Sequence, residues 1–154
     1  MKGDLTTELT QEELKEESIR ATKALYKILI RDIKEFRNQN HRWSTIWFAL
    51  YVFIGLSAVL SSSISAILTF LDLSNNTLLF SVAFSSTASA YILTFLDPSG
   101  RASRRKTAAR RSASMLVQAK KDEAYVSIIA PSDAYKRMSN LTDQFAALMQ
   151  DYTE

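Results

Sequence analysis

Residues 43–71 read WSTIWFALYVFIGLSAVLSSSISAILTFL, and residues 73–96 read LSNNTLLFSVAFSSTASAYILTFL. Asp72 separates the two stretches and is the one formally charged residue from position 43 to position 96. A helix needs about 20 mostly apolar residues to cross the roughly 30 Å hydrocarbon core of a bilayer. Because each stretch is long enough, the sequence predicts a transmembrane helical hairpin with spans over about residues 45–70 and 77–96.

A hairpin buried in the core of a soluble helical bundle is the alternative. A soluble helix usually carries charges on the face opposite its apolar stripe, and neither stretch has a charged face. The rest of the 154-residue chain is too polar to surround two helices that are apolar all round. The sequence therefore predicts an all-α membrane protein with a transmembrane helical hairpin, residues 43–97, and a cytoplasmic bundle of amphipathic helices.

Basic residues flank the hairpin at both ends. Residues 31–42 contain four Lys or Arg side chains and residues 101–111 contain six, whereas the loop between the spans contains none. Lys and Arg near the ends of spans favour the cytoplasmic side of the membrane. Both termini are therefore predicted to be cytoplasmic.

An amphipathic helix is predicted before the hairpin. The segment TQEE has the spacing of a capping box, in which the Thr and Glu side chains satisfy backbone N–H groups at a helix start. This spacing predicts a cytoplasmic helix over residues 10–42, preceded by a disordered acidic segment, residues 1–9.

A cytoplasmic segment of two helices, residues 98–154, is predicted after the hairpin. Asp97 is expected to cap the first of these helices, with Pro98 in its first turn, and Pro131 is expected to begin the second. Apolar residues recur at spacings of three and four along the last helix, which is typical of a helix that packs on other helices. This predicted packing seam consists of Met138, Leu141, Phe145, Leu148 and Tyr152.

Small hydroxyl residues recur at every fourth position along both spans. They form two rows, each on one helix face: Ser57, Ser61, Ser65 and Thr69 in the first span, and Ser81, Ser85 and Ser89 in the second. One interpretation is close packing, since small residues let membrane helices approach and their hydroxyls hydrogen-bond across the contact. The other is the polar lining of a water-filled pore. Because two helices cannot enclose a channel, a conducting form requires a homo-oligomer.

Basic residues cluster beside the predicted ends of the spans. The cluster consists of Arg42, Arg101, Arg104, Arg105, Lys106, Arg110 and Arg111. One interpretation is that it fixes topology and contacts anionic lipid headgroups, at about 1 kcal/mol per basic residue. The others are docking on an acidic partner and binding of a phosphate-bearing ligand that gates the protein. Nucleic-acid binding is not predicted, because no aromatic stacking platform interleaves with the basic residues.

The composition offers little material for a catalytic site. The chain has one His and no Cys, and it lacks a glycine-rich phosphate loop, paired metal-ligand spacing and a nucleophile elbow. The sequence therefore predicts no enzymatic activity, no cofactor and no metal site.

A family resemblance rests on the exit from the second span. Residues 94–102 read TFLDPSGRA, and the Ala- and Arg-rich segment Lys106–Ser114 follows them. With the order of helix, span, short loop and second span, this segment resembles the SLATT family, bacterial two-transmembrane proteins associated with nucleotide-sensing antiphage defence. The resemblance covers roughly residues 15–150.

The resemblance implies a pore-forming effector of the bacterial inner membrane. Such an effector permeabilises the membrane when a sensor protein or a nucleotide second messenger triggers it, and the host cell dies or stops growing. The alternative function is a non-conducting membrane scaffold or anchor whose cytoplasmic helices recruit a partner. Its motivation is the packing seam of the last helix, which could dock another protein as well as its own neighbours.

Overall fold

The computed structural model describes residues 4–71 and 76–153, and the side chains of residues 12–71 and 77–152. Four helices follow one another in these ranges, which contain no β-strand: α1 (Asp4–Phe70), α2 (Asn76–Leu96), α3 (Pro98–Tyr125) and α4 (Pro131–Thr153). The chain divides into two compact units, here called the bundle unit (Met1–Asn40 with Thr107–Glu154) and the hairpin unit (His41–Lys106).

Helix α1 is one element of 67 residues and includes both the predicted helix 10–42 and the first predicted span. It begins at Asp4, so the segment predicted to be disordered, residues 1–9, is helical from Asp4 onward. Residues 1–3 lie outside the described residues. The sequence from Asp4 to Ile54 contains neither Gly nor Pro, the two residues least favourable in a helix, and nothing local ends the helix at Thr10.

The other three helices begin close to the predicted boundaries. Helix α2 covers the second predicted span, residues 77–96. Helices α3 and α4 begin at Pro98 and Pro131, the two prolines that the sequence placed at helix starts. Proline suits the first helical position because its missing N–H would have no partner within the helix and its φ is already helical.

The bundle unit packs segments of α1, α3 and α4 around an apolar core. Its main cluster of buried side chains draws on all three helices: Leu29, Ile33, Leu116, Ala119, Leu141, Phe145 and Leu148. The rings of Phe36 and Phe145 meet edge to face, with centroids 5.6 Å apart. Burial of these apolar stripes stabilises the unit by roughly 25 cal/mol per Å² of apolar surface removed from water.

The predicted packing seam of α4 faces this core. Leu141, Phe145 and Leu148 are buried in the main cluster, and Tyr152 packs against it. Met138 packs against a second, smaller cluster, which contains Tyr26, Val126 and Ala134. The period of three and four residues along α4 therefore coincides with the face that contacts α1 and α3 within the bundle unit.

Tyr26 joins α1 to α4 through its hydroxyl group. The side chain is fully buried, and its Oη donates a hydrogen bond to the Ala134 carbonyl oxygen at 3.4 Å. Burial raises the pKa of Tyr26, the charge of Asp122 adds to the rise, and the charge of Arg137 opposes it. Because the pKa is raised in the folded state, the stability that the buried neutral Tyr26 contributes is present below the ordinary tyrosine pKa of about 10. It is lost as the pH rises beyond that value.

Candidate functional site

The hairpin unit presents apolar side chains outward. The most apolar stretches within Glu12–Phe70 and Thr77–Tyr125 have mean hydropathies of 1.9 and 1.6, and 6% of each is buried within the chain. The core helix of a soluble protein is instead mostly buried by its own chain. Both helices are long and apolar enough to cross a membrane, which is consistent with membrane localisation.

The two predicted hydroxyl rows meet at one direct contact in the hairpin unit. Ser61 Oγ donates a hydrogen bond to Ser85 Oγ at 3.3 Å. Ser44 precedes Ser61 on α1, and it hydrogen-bonds to Ala102 of α3, which follows Ser85 in the chain. Rising residue numbers on α1 therefore pair with falling residue numbers in the segment from α2 to the start of α3, so the two segments run antiparallel. With equal rise per residue in both helices, four-residue steps from the Ser61–Ser85 contact reach the level of Ser57 and Ser89 on one side. The rows thus share one register.

The rows are packed at one end and open at the other. Ser89 is buried and Ser57 is half-buried, whereas Thr69 and Ser81 are exposed. The hydroxyls of Thr69 and Ser81 donate to carbonyl oxygens four residues earlier in their own helices, at 2.9 and 2.8 Å. Because a hydroxyl bonded within its helix needs no partner across the contact, the open end is compatible with an apolar or an aqueous neighbour.

An open groove of about 640 Å³ lies between α1 and α2, and its α1 side extends from Ser62 to Phe70. We call it the hydroxyl groove, because five of its eight lining residues carry hydroxyl groups. Its lining consists of Ser62, Ser65, Ala66, Thr69, Phe70, Ala83, Ser86 and Thr87. All of these lining residues belong to α1 and α2, and none of them is charged.

The structure separates the predicted row residues by position. Ser65 and Thr69 line the hydroxyl groove, whereas Ser61 and Ser85 form the contact between the helices. The predicted rows missed the groove residues Ser62, Ser86 and Thr87. The sequence of α1 did contain a signal for these groove residues, because Ser62 and positions 65, 66 and 69 have the spacing of a single helix face.

The predicted basic cluster divides between the two units. Five of its members belong to the hairpin unit and two to the bundle unit: Arg42, Arg101, Arg104, Arg105 and Lys106, and Arg110 and Arg111. The guanidinium carbon of Arg101 lies 5.0 Å from the centroid of the Trp47 ring, a cation–π contact. Arg42 and Arg104 are exposed at the polar end of the hairpin unit. A Trp beside an Arg at the end of an apolar helix suits the level of lipid headgroups.

Asp97 alone joins α2 to α3. Its Oδ1 accepts a hydrogen bond from the Gly100 N–H at 3.0 Å, which makes Asp97 the N-cap of α3, as the sequence predicted. Its φ of 39° lies in the left-handed region, which Asp tolerates better than most residues. A Cβ added at Gly100 would lie 2.7 Å from Asp97 Cγ, so the absence of a side chain at position 100 leaves room for the capping carboxylate.

We expect Asp97→Ala to destabilise the start of α3 by about 1 kcal/mol, because the Gly100 N–H loses its acceptor and Ala tolerates a left-handed φ less well. Asp97→Asn is the matched control, since it removes the same charge but keeps an acceptor oxygen. Amide hydrogen exchange over the first turns of α3 measures the difference. Equal protection in the two variants would show that the cap does not hold this junction.

A second groove, of about 400 Å³, lies between α1 and α3 within the hairpin unit. We call it the His41 groove; its lining consists of His41, Ser44, Thr45, Phe48, Ser99, Ala102, Ser103 and Lys106. The buried Ser44 hydroxyl donates to the Ala102 carbonyl oxygen at 3.1 Å, which fixes the two helices beside each other at this level. Lys106 is the one groove residue that belongs to the predicted basic cluster.

Within the described ranges, no group of three or more His, Cys, Asp or Glu side chains is placed to hold a metal ion. Comparisons of the chain with protein-family models, with curated proteins and with solved structures find no match. The hydroxyl groove, the His41 groove and the predicted basic cluster are therefore the candidate functional features of the described residues.

Proposed function

We propose that this chain is a pore-forming membrane effector, which assembles as a homo-oligomer and permeabilises the bacterial inner membrane when it is triggered. The hydroxyl groove is the observation that supports this proposal most strongly. It brings five hydroxyl residues together in one open groove of a mostly apolar hairpin, which water can wet. Exposed aromatic side chains elsewhere on the two helices, such as Phe53 and Phe95, suit contact with lipid.

The open shape of the groove supports assembly. One hairpin leaves the groove uncovered along one side, so a single copy encloses no channel. A ring of hairpins that turn their hydroxyl grooves toward a common axis would enclose a polar conduit and keep Phe53 and Phe95 toward lipid. Since no charged residue lines the groove, ion preference in such a pore would arise from the basic residues at its mouth.

The biological setting of the proposal comes from the sequence resemblance. A SLATT-like effector acts in antiphage defence, with a nucleotide second messenger or a sensor protein as its trigger. The excess of Lys and Arg on both flanks of the hairpin favours cytoplasmic termini, where either trigger would reach the bundle unit. Membrane lipid and further copies of the chain are the proposed partners.

We expect Ser65→Leu to abolish the depolarisation that the wild-type protein causes when it is overproduced in bacterial cells. The substitution replaces a groove hydroxyl with an apolar side chain, and an apolar constriction closes a narrow pore by expelling water. A voltage-sensitive dye in cells, and dye release from liposomes that contain the purified protein, measure the effect. Depolarisation should fall to near the level of uninduced cells.

Ser63→Leu is the matched control for this experiment. It makes the same chemical change two residues away on α1, at an exposed position outside the groove lining, where the hydroxyl is bonded to the Val59 carbonyl oxygen at 2.9 Å. Ser63→Leu should depolarise cells as the wild type does. Equal activity of the two variants, at equal membrane content, would remove the groove from the conducting path.

A non-conducting membrane scaffold is the second candidate, and one observation favours it. The bundle unit carries large apolar side chains that its own core leaves exposed, among them Ile128, at 77% exposure, and Tyr135, at 60%. Such side chains suit a partner protein. Wild-type protein that inserts and assembles but leaves both the cell potential and liposome dye unchanged would favour the scaffold over the pore.

A further inference from the structure

The His41 groove is built from one face of each of two helices. Its α1 side consists of positions 41, 44, 45 and 48, and its α3 side consists of positions 99, 102, 103 and 106. Both sets follow the same spacing of three, four and seven residues, so each lies along one side of its helix. The Ser44–Ala102 hydrogen bond and the Arg101–Trp47 contact hold these faces together.

The two ends of the groove differ in polarity. Because the helices run antiparallel here, His41 and Lys106 lie at one end, and Phe48 and Ser99 lie at the other. The first end offers the ammonium group of Lys106 and an imidazole, which keeps at least one N–H donor in its neutral and its charged form. The second end leads along α1 into the apolar stretch of the first span. No carboxylate lines the groove.

We propose that the His41 groove binds one anionic phospholipid, with the phosphate between His41 and Lys106 and an acyl chain beside Phe48. A cation beside an imidazole donor matches a phosphate group, for which charge-assisted hydrogen bonds are the strong ones. The apolar end matches a hydrocarbon chain, which a soluble phosphate ester lacks. The inference rests on the membrane location in the proposed function and adds a defined lipid site to it.

The test measures lipid retention by the full-length protein. The protein is released from nanodiscs of mixed phosphatidylglycerol and phosphatidylcholine, and the lipids that stay bound are counted by native mass spectrometry. The wild type should retain phosphatidylglycerol in preference to phosphatidylcholine. Lys106→Gln should lower that retention by about fivefold or more, as expected for the loss of one basic residue at an anionic headgroup, and Lys106→Arg should restore it.

Lys120→Gln is the matched control, since it removes one positive charge from an exposed position of α3 that lies outside both the groove lining and the basic cluster. Lys120→Gln should change retention by less than about twofold. Equal losses in the Lys106 and Lys120 variants, or equal retention of the two lipids by the wild type, would overturn the site. Displacement of phosphatidylglycerol by excess sn-glycerol 3-phosphate would overturn the lipid as its occupant and leave a phosphate-ester site.

The proposal fails separately from the proposed function. A chain that does not enter nanodiscs at all contradicts the membrane location on which both depend. A chain that inserts and depolarises cells but shows no preference for phosphatidylglycerol contradicts the lipid site alone. Lys106 is exposed, so its replacement should leave the helical circular dichroism of the protein unchanged.

Discussion

Phe84→Arg is expected to prevent insertion of the second span. Phe84 lies near the middle of α2 and exposes 66% of its surface. An arginine at the centre of a membrane helix costs about 2.5–3.5 kcal/mol on insertion scales, which is roughly a hundredfold change in the insertion equilibrium. Glycosylation acceptor sites on either side of α2, in a microsomal insertion assay of the full chain, report the inserted fraction.

Val117→Arg is the control, because it introduces the same charge at an exposed apolar residue outside the two predicted spans. Val117 lies on α3 in the bundle unit and is exposed to nearly the same degree, 69%. If water surrounds this position, an arginine there should leave insertion unchanged and alter stability by no more than about 0.5 kcal/mol. The interpretation of α2 as a membrane span fails if Phe84→Arg inserts as well as Val117→Arg.

Phe145→Ala is expected to have the largest effect on the bundle unit, a loss of about 3–5 kcal/mol in its unfolding free energy. Phe145 is 4% exposed, belongs to the main core cluster and meets the ring of Phe36 edge to face. Its truncation removes buried apolar area and leaves a cavity among α1, α3 and α4. Hydrogen exchange of the α4 amides in detergent micelles measures the free energy of opening.

Tyr135→Ala is the matched control on the same helix. Tyr135 is aromatic, as Phe145 is, but it exposes 60% of its surface, so its truncation should change the opening free energy by about 0.5 kcal/mol or less. Similar losses of protection in the two variants would mean that α4 does not pack through its seam. The test concerns the bundle unit alone and is independent of any pore.

The sequence predicted the elements of this fold where the physical signal is local. Two long stretches without charged residues predict helices that can span a membrane, because length and the lack of charge are properties of each stretch alone. The α4 seam follows from the period of its apolar residues. The cap at Asp97 follows from a short polar side chain directly before a proline, since both favour a helix start.

The start of α1 and the two grooves could not be predicted with the same success. A capping box at TQEE indicates a start that satisfies backbone donors, but the helix continues past it to Asp4 because no residue there opposes a helix. The grooves depend on pairs such as Ser44 and Ala102, which are 58 residues apart. A helix that is apolar all round shows no amphipathic face, so its sequence does not state which side meets a neighbour.

We propose that lipid surrounds the apolar faces of the hairpin unit, and spin labelling tests this directly. The chain has no cysteine, so single cysteines at Phe53, Phe84 and Ile128 can each carry a nitroxide without background. In proteoliposomes, oxygen concentrates in the bilayer and a water-soluble nickel complex stays outside it. Oxygen should speed the spin relaxation of the labels at positions 53 and 84, and the nickel complex should have little effect on them. At position 128 the nickel complex should have the larger effect. Nickel access at 53 and 84 equal to that at 128 would contradict the claim.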